Sequence, residues 1–271
     1  MIYKRNPRIL VFDSGVGGLS IAQEIQRLQP GCDLIYASDN AAFPYGTKGE
    51  AELIARVDLV LRRLLDEHPA DILVIACNTA STLTLPHVRR CFDLPVVGVV
   101  PAIKPAARVS HSKVIGLLAT PATVVRPYTL QLMEDYAADC TVIPVGNAEL
   151  VQLAEAKLRG VIPDQRRLKT ILAPFANHPQ GRRMDTVVLA CTHFPLLRAE
   201  LTQHLGPRVA LVDSGEAIAR RVGHWLHTLT LEPGIQAPRN VAMFTLRSGD
   251  IDTLAPALAD LGFNEVATVP V

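Results

Sequence analysis

The feature that most constrains this chain is a short pattern that occurs twice. Ile72 to Ala76 and Thr186 to Ala190 are apolar runs, and each is followed directly by a cysteine, Cys77 or Cys191. An Asp stands six residues before each thiol, Asp71 and Asp185. Runs this short and this apolar fit strands buried on both faces, which is how parallel strands read. Small polar residues follow both thiols, Asn78-Thr79-Ala80-Ser81 and Thr192-His193, and suit the opening of a loop or helix. In open α/β sheets the carboxyl edge of the strands is where ligands bind. The chain therefore carries two similar half-sites, and two matched thiols predict one substrate approached from two sides.

The surrounding pattern supports such sheets. Arg8 to Phe12, Leu34 to Ala37 and Val96 to Val100 also read as strands, and Leu19 to Leu28 and Glu50 to Glu67 as helices. In the second of these helices Leu53, Ile54, Val57, Val60, Leu61, Leu64 and Leu65 recur at helical spacing. The alternation restarts at Lys113 to Ala119. Helices are expected near 125–135, 148–159 and 164–176 ahead of the strand at Cys191. Arg208 to Val212 is a late strand whose ending, Asp213-Ser214-Gly215, echoes Asp13-Ser14-Gly15 after the first. A helix over 216–228, an irregular loop over 231–239 containing Pro233, a strand over 243–247 and a helix over 252–261 complete the reading. Strand–helix alternation predicts mostly parallel sheets with helices on both faces. The expected architecture is two similar α/β domains, residues 1–97 with 208–271 and residues 98–207, and an active site in the cleft between them.

Composition narrows the function. A net charge of +1 gives no electrostatic case for nucleic acid or membrane binding. No apolar run approaches the length of a membrane span. The start of the chain, Met1 to Pro7, is polar and leads straight into a strand, so no secretory apolar region is expected. Five scattered cysteines (32, 77, 91, 140 and 191) do not form a disulfide framework, and a reducing cytoplasm is the default location. Cys32, Cys91 and Cys140 lack flanking polar chemistry and read as small buried apolar residues. Cys77 and Cys191 differ, because a helix N-terminus favours thiolate.

Other readings compete locally. Cys191 and His193 could begin a zinc site, but no CxxC or HExxH accompanies them, so no metal is expected. Asp13-Ser14-Gly15-Val16-Gly17-Gly18 could cradle a phosphate, yet it is neither GxGxxG nor a P-loop, and Asp13 would repel the phosphate. A carboxylate there fits proton handling near a thiol better. His193, two residues from Cys191, fits a proton relay. Tyr45-Gly46 after Pro44 could be a plain turn.

Four segments taken in order resemble a known family: Val11 to Ser20, Phe43-Pro44-Tyr45-Gly46, Ala76 to Ser81, and Ala190-Cys191-Thr192-His193-Phe194-Pro195-Leu196-Leu197. Gly116 to Thr120 with Thr123 and Tyr128, Val212 to Gly215, and Thr245 to Asp250 are also similar to it, with Leu246-Arg247 interrupting the usual Thr-Ser-Gly-Asp. The chain resembles the glutamate racemases of the aspartate/glutamate racemase family over essentially its whole length. The resemblance implies a cofactor-independent enzyme that interconverts L- and D-glutamate and supplies D-glutamate for peptidoglycan. It implies Cys77 and Cys191 as the catalytic pair, with Asp13 and His193 as their helpers. Asp13, Ser14, Tyr45, Gly46, Cys77, Asn78, Thr79, Thr120, Cys191 and Thr192 would be the substrate-binding residues, and Glu149 matches an acidic residue of the family. The expected partner is a small molecule, and a homo-oligomer stays open.

The chemistry points the same way. Racemisation removes the Cα proton from one face and returns a proton to the other. A single base tends to return the proton to the side it left, whereas two opposed groups, one thiolate and one thiol, exchange roles with the enantiomer. Without a pyridoxal electron sink, the carbanion needs a preorganised polar site. An aspartate or hydantoin racemase would share the two-thiol plan. A bilobed amino-acid-binding protein would not need the thiols, and a thiol redox enzyme would place cysteines together.

Overall fold

The computed structural model describes residues 5–232, 234 and 236–271. Pro233 in the expected 231–239 loop and Met1 to Lys4 of the polar start lie outside the described residues. The chain divides into two units, one running to Val99 and resuming over Gly215–Val271, the other Val100–Ser214. In chain order the first unit contributes β1 (Arg8–Asp13), α1 (Leu19–Leu28), β2 (Asp33–Ser38), α2 (Glu50–Glu67), β3 (Ile72–Ile75), α3 (Asn78–Cys91) and β4 (Val96–Gly98). The second unit follows with α4 (Ile103–Val109), β5 (Val114–Ala119), α5 (Pro121–Val124), α6 (Pro127–Tyr136), β6 (Thr141–Gly146), α7 (Glu149–Leu158), α8 (Gln165–Asn177), β7 (Thr186–Leu189), α9 (Arg198–Leu205) and β8 (Ala210–Val212). The chain then returns to the first unit with α10 (Gly215–Thr228), β9 (Asn240–Phe244), α11 (Gly249–Asp260) and β10 (Glu265–Thr268).

Each unit is built on a parallel sheet, in the order β10-β9-β2-β1-β3-β4 in the first and β6-β5-β7-β8 in the second. The inner strands β3, β5 and β7 are buried throughout, and β1 is buried after Arg8. That is the cost-free arrangement for apolar runs covered by helices on both faces. Leu10, Phe12, Leu73 and Ile75 pack with Leu53, Val57, Val60, Leu61 and Leu64 of α2 and Val88 of α3. The period of two sends Ile9, Val11, Ile72 and Val74 to the other face, and α1 packs against α10. In the second unit Ile115, Leu117, Ala119, Val188 and Ala190 pack with Ile103, Ala106 and Ala107 of α4.

Several elements differ from the sequence reading. β6, β10 and α4 carry no clear periodicity and were not expected. Pro144 lies inside β6, which is tolerable because β6 is an edge strand and need not donate on its outer side. The expected strand over 243–247 begins earlier, at Asn240, and the small polar residues after Cys77 open a helix, α3, from Asn78. The late strand grouped with the first domain behaves otherwise: Ala210–Val212 pairs in parallel with β7, in register Val187 to Leu211, inside the second unit's sheet. The Asp-Ser-Gly echo marks the start of the next helix rather than a repeat of β1's position. Cys91 was read as buried and is exposed at the end of α3, while Cys32 is buried and Cys140 half-buried.

Candidate functional site

The strand orders locate both half-sites. In the first unit the chain leaves β1 for β2 on one side and leaves β3 for β4 on the other, so the order reverses between neighbours β1 and β3. In the second unit the same reversal falls between β5 and β7. Such a reversal opens a crevice beyond the carboxyl ends of the two strands. Ala76 N–H donates to Phe12 C=O at 2.7 Å, and Ala190 N–H donates to Leu118 C=O at 2.8 Å. One residue further in the same register, Cys77 stands opposite Ser14 and Cys191 opposite Thr120. The repeated sequence pattern is thus a repeated topological position.

The aspartates that precede the thiols do something else. They sit at the amino ends of β3 and β7, about 20 Å of strand from the cysteines. Asp71 accepts Arg8 N–H at 2.7 Å and both arms of the Arg5 guanidinium at 2.7 Å. Asp185 accepts Ser110 Oγ at 2.6 Å and the N–H groups of His111 and Ser112 at 2.9 and 2.7 Å. Burial pushes both carboxyls up, but the hydrogen bonds outweigh it. Asp71 is held below the ordinary range, and Asp185 falls to about 2. They are fasteners at the far edge of each sheet.

Cys77 is 7% exposed and serves as the N-cap residue of α3. The thiol thus stands where the first-turn N–H groups lack helical partners and the helix dipole favours negative charge. Ser14 Oγ lies 3.7 Å from Cys77 Sγ. Asn78 is buried beside it, and its Oδ1 has no hydrogen-bond partner among the described residues. A buried acceptor left so costs about 1–3 kcal/mol unless a ligand supplies the donor. Thr79 on the same first turn is buried as well.

Asp13 ends β1 fully buried and accepts Gly18 N–H at 2.8 Å, which holds the turn into α1. A Cβ at Gly18 would come within 2.9 Å of Asp13 Cβ and 3.0 Å of Ala76 Cβ, so this close approach requires glycine. Tyr36 hydroxyl donates to Gly15 C=O in the same turn.

Cys191 is 8% exposed, and no α-helix opens at it; Phe194–Leu197 forms a 3-10 turn before α9. Its neighbour is His193, whose Nδ1 lies 3.8 Å from the sulfur. His193 Nε2 is 2.9 Å from Glu155 Oε1, and Glu155 Oε2 accepts Arg159 at 2.9 Å. Cys191, His193 and Glu155 are all buried. A carboxylate on Nε2 fixes the ring's orientation and leaves Nδ1 toward the thiol, the logic by which a third group orients a catalytic base. Thr192 is buried alongside. Thr120 caps α5, its Oγ1 accepting Thr123 N–H at 3.4 Å and lying 2.8 Å from Thr123 Oγ1.

Glu155 escaped the sequence reading, which had matched Glu149 to an acidic residue of the family. Glu149 instead makes a surface pair with Arg167 at 2.6 Å. The signal for Glu155 was present: Leu150, Val151, Ala154 and Glu155 form the buried stripe of α7, so a carboxylate stands on the apolar face. Tyr45 is buried, and its hydroxyl donates to Asp39 at 2.6 Å. Asp39 also receives Arg56 at 2.6 and 2.9 Å and Thr245 at 2.7 Å. Burial pushes Asp39 up, and these partners hold it below the ordinary range regardless. Burial, then Asp39, raises the Tyr45 hydroxyl far above its ordinary value. The side chain of Tyr45 therefore anchors its loop. What that loop offers a ligand is its backbone at Tyr45 and the exposed Gly46, in a 3-10 turn over Tyr45–Thr47.

The family model of Asp/Glu/Hydantoin racemase matches residues 19–222. A glutamate racemase of Salmonella enteritidis is 49% identical over 265 residues, 98% of this chain and 93% of that protein. The structure is similar to that of Escherichia coli glutamate racemase solved with L-glutamate and the activator UDP-MurNAc-ala, with a TM-score of 0.92, 47% identity, and coverage of 98% of this chain and 99% of the other. It is also similar to a Francisella tularensis glutamate racemase solved with D-glutamate, with a TM-score of 0.76, 25% identity, and coverage of 98% and 97%. Among the described residues no helix is long and apolar enough to cross a membrane.

Proposed function

Because this chain belongs to the Asp/Glu/Hydantoin racemase family, we propose that it is a glutamate racemase that interconverts L- and D-glutamate with Cys77 and Cys191 as opposed acid and base. The observation that carries this reading is the placement of the two thiols. Each stands two residues past an inner strand, at its own sheet's reversal point, in a chain 49% identical to a curated glutamate racemase.

In this mechanism one thiol acts on each face of the substrate Cα. The thiolate on one side takes the Cα proton while the thiol on the other delivers one, and the pair emerges with roles exchanged. The α3 first-turn N–H groups, the buried hydroxyls of Thr79 and Thr192 and the half-buried hydroxyl of Thr120 receive the carboxylates, and Asn78 Oδ1 accepts from the ammonium. This polar surround stabilises charge as it develops on the substrate. Ser14 and Asp13 support the Cys77 side, and His193, oriented by Glu155, supports the Cys191 side. Tyr45 and Gly46 contribute backbone N–H. The reaction proceeds without pyridoxal phosphate, metal or nucleotide, in the cytoplasm, and its D-glutamate supplies peptidoglycan synthesis.

The test follows Cα deuterium incorporation from deuterated water into L- and D-glutamate and into aspartate, with and without a chelator. Exchange in both glutamate enantiomers is expected. Aspartate should lag by more than the roughly 10–200-fold that one methylene gives a shaped pocket, because its shorter side chain leaves buried donors unpaired. Preference for aspartate, or activity lost to chelator and restored by zinc, would overturn the reading.

A further inference from the structure

Away from both thiol half-sites, three metal-ligating side chains converge on the outer helices of the first unit. Asp58 comes from α2; His87 and Cys91 come from α3, four residues apart and so on one helical face. His87 Nε2 lies 3.0 Å from Asp58 Oδ1 and 3.5 Å from Cys91 Sγ, and all three ligating atoms lie within 4.8 Å of one another. Asp58 and His87 are partly exposed, and Cys91 is exposed.

We propose that Asp58, His87 and Cys91 form a surface binding site for a thiophilic divalent cation, with zinc as the best fit. The spacing carries the argument. Bonds of about 2.0–2.3 Å to nitrogen, oxygen and sulfur in a tetrahedral site put neighbouring ligating atoms roughly 3.3–3.7 Å apart. The His87 to Cys91 separation already falls there, and the His87 to Asp58 separation is a few tenths shorter. A bound ion therefore needs small side-chain adjustments rather than a new backbone. Imidazole, thiolate and carboxylate together select zinc over calcium or magnesium, which prefer all-oxygen shells. Exposure leaves the fourth position to water.

The outer shell is also in place. Arg62 donates to Asp58 at 2.7 Å through Oδ2 and 3.1 Å through Oδ1, and its guanidinium lies over Phe92 at 5.2 Å. The ion takes Oδ1, while Arg62 keeps its shorter bond to Oδ2 and orients the carboxylate, as outer-shell partners of metal ligands do. Binding releases the Cys91 thiol proton, because the thiolate is the ligand. The site bridges the carboxyl end of α3 to α2, and α3 carries Cys77 at its other end, roughly 20 Å away along the helix. The ion fastens a helix rather than entering the reaction.

The experiment titrates reduced, metal-free protein with Co2+ and then displaces it with Zn2+. One equivalent of Co2+ should give a thiolate-to-cobalt charge-transfer band in the near ultraviolet, and Zn2+ should abolish it. Cys91→Ser should remove the band. His87→Gln and Asp58→Asn should weaken binding by more than the roughly tenfold that even an outer-shell partner costs. Circular dichroism on each variant separates these losses from misfolding. Cys77→Ser and Cys191→Ser should leave the band unchanged. Absence of a band in the wild-type protein would overturn the proposal. So would a band that survives Cys91→Ser and vanishes with Cys77→Ser or Cys191→Ser.

Discussion

The half-site at Cys77 is furnished mainly by backbone, and the one at Cys191 mainly by side chains. Cys77 caps a 14-residue helix and has a serine hydroxyl for a neighbour. Cys191 precedes only a 3-10 turn and has instead a buried histidine held by a buried glutamate and an arginine. Strand order has duplicated the place of the thiol without duplicating what surrounds it. Ala119 stands where Asp13 stands, and Thr120 where Ser14 stands. The lesson is that topology sets where a reactive group emerges, and each unit then supplies its charge support independently. A helix terminus acts through fixed partial charges, whereas a His–Glu pair can take up and release a proton.

The largest expected effect tests whether the two places are equivalent at all. Cys77→Ser and Cys191→Ser should each lower racemisation by at least the roughly 10²–10⁴-fold that a positioned acid or base contributes. Cys32→Ser and Cys140→Ser should retain activity. Polarimetry with either enantiomer measures this, and full turnover in one active-thiol variant would break the pairing.

The next effect sharpens the contrast. Glu155→Gln replaces a charged partner of His193 and should reduce turnover by roughly 10- to 150-fold, the equivalent of about 1.5–3 kcal/mol. It should also displace the pH profile, since a neutral amide no longer favours the protonated imidazole. Unchanged turnover together with an unchanged profile would remove Glu155 from the half-site. Ser14→Ala should cost less, about tenfold at most, because a neutral hydrogen bond contributes about 0.5–1.5 kcal/mol. Steady-state kinetics on the two variants side by side decides the matter, and a larger loss for Ser14→Ala would invert the comparison.

The smallest effect concerns the far edges of the sheets. Asp185 has a folded-state value lowered from 3.8 to about 2, so its contribution to stability is present above 3.8 and drains away as pH falls toward 2. Asp185→Asn should therefore lower stability at neutral pH and flatten its decline over that acid window. Urea unfolding midpoints at several pH values report it. An equally steep decline in the variant would assign the acid sensitivity elsewhere.

Much of this was legible in the residues, and the remainder was hidden for identifiable reasons. The apolar runs ending at Cys77 and Cys191 announced inner strands, because burial on both faces leaves little freedom of composition. Helix α2 was legible through Leu53, Val57, Val60, Leu61 and Leu64. Strand β6 was not, since an edge strand can carry Pro144 and exposed positions. Asp71 and Asp185 drew attention by their matched spacing from the thiols. The spacing is real, but a strand's length separates its two ends, and they serve the other one. The partner of the Tyr45 hydroxyl was not legible, because Asp39 lies six residues earlier on a loop with no periodicity; that bond leaves only the backbone of Tyr45 for a ligand. Glu155 was passed over because a lone carboxylate among Gln, Ala and Lys reads as solvated, although its place on the stripe of Val151 and Ala154 marked it as buried.

The position of the half-sites on inner strands has a consequence for how the protein breathes. Strands β1, β3, β5 and β7 each have a hydrogen-bonded neighbour on both sides, while β10, β4, β6 and β8 have one. Openings that begin at a sheet's rim expose the outer amides first and reach the inner ones only when the unit as a whole gives way. The backbone beneath Asp13, Cys77, Thr120 and Cys191 should therefore be among the last to exchange its amide hydrogens. Fraying at the rims then leaves the proposed reactive groups in register, so the loss of either candidate half-site should coincide with unfolding of its unit rather than precede it.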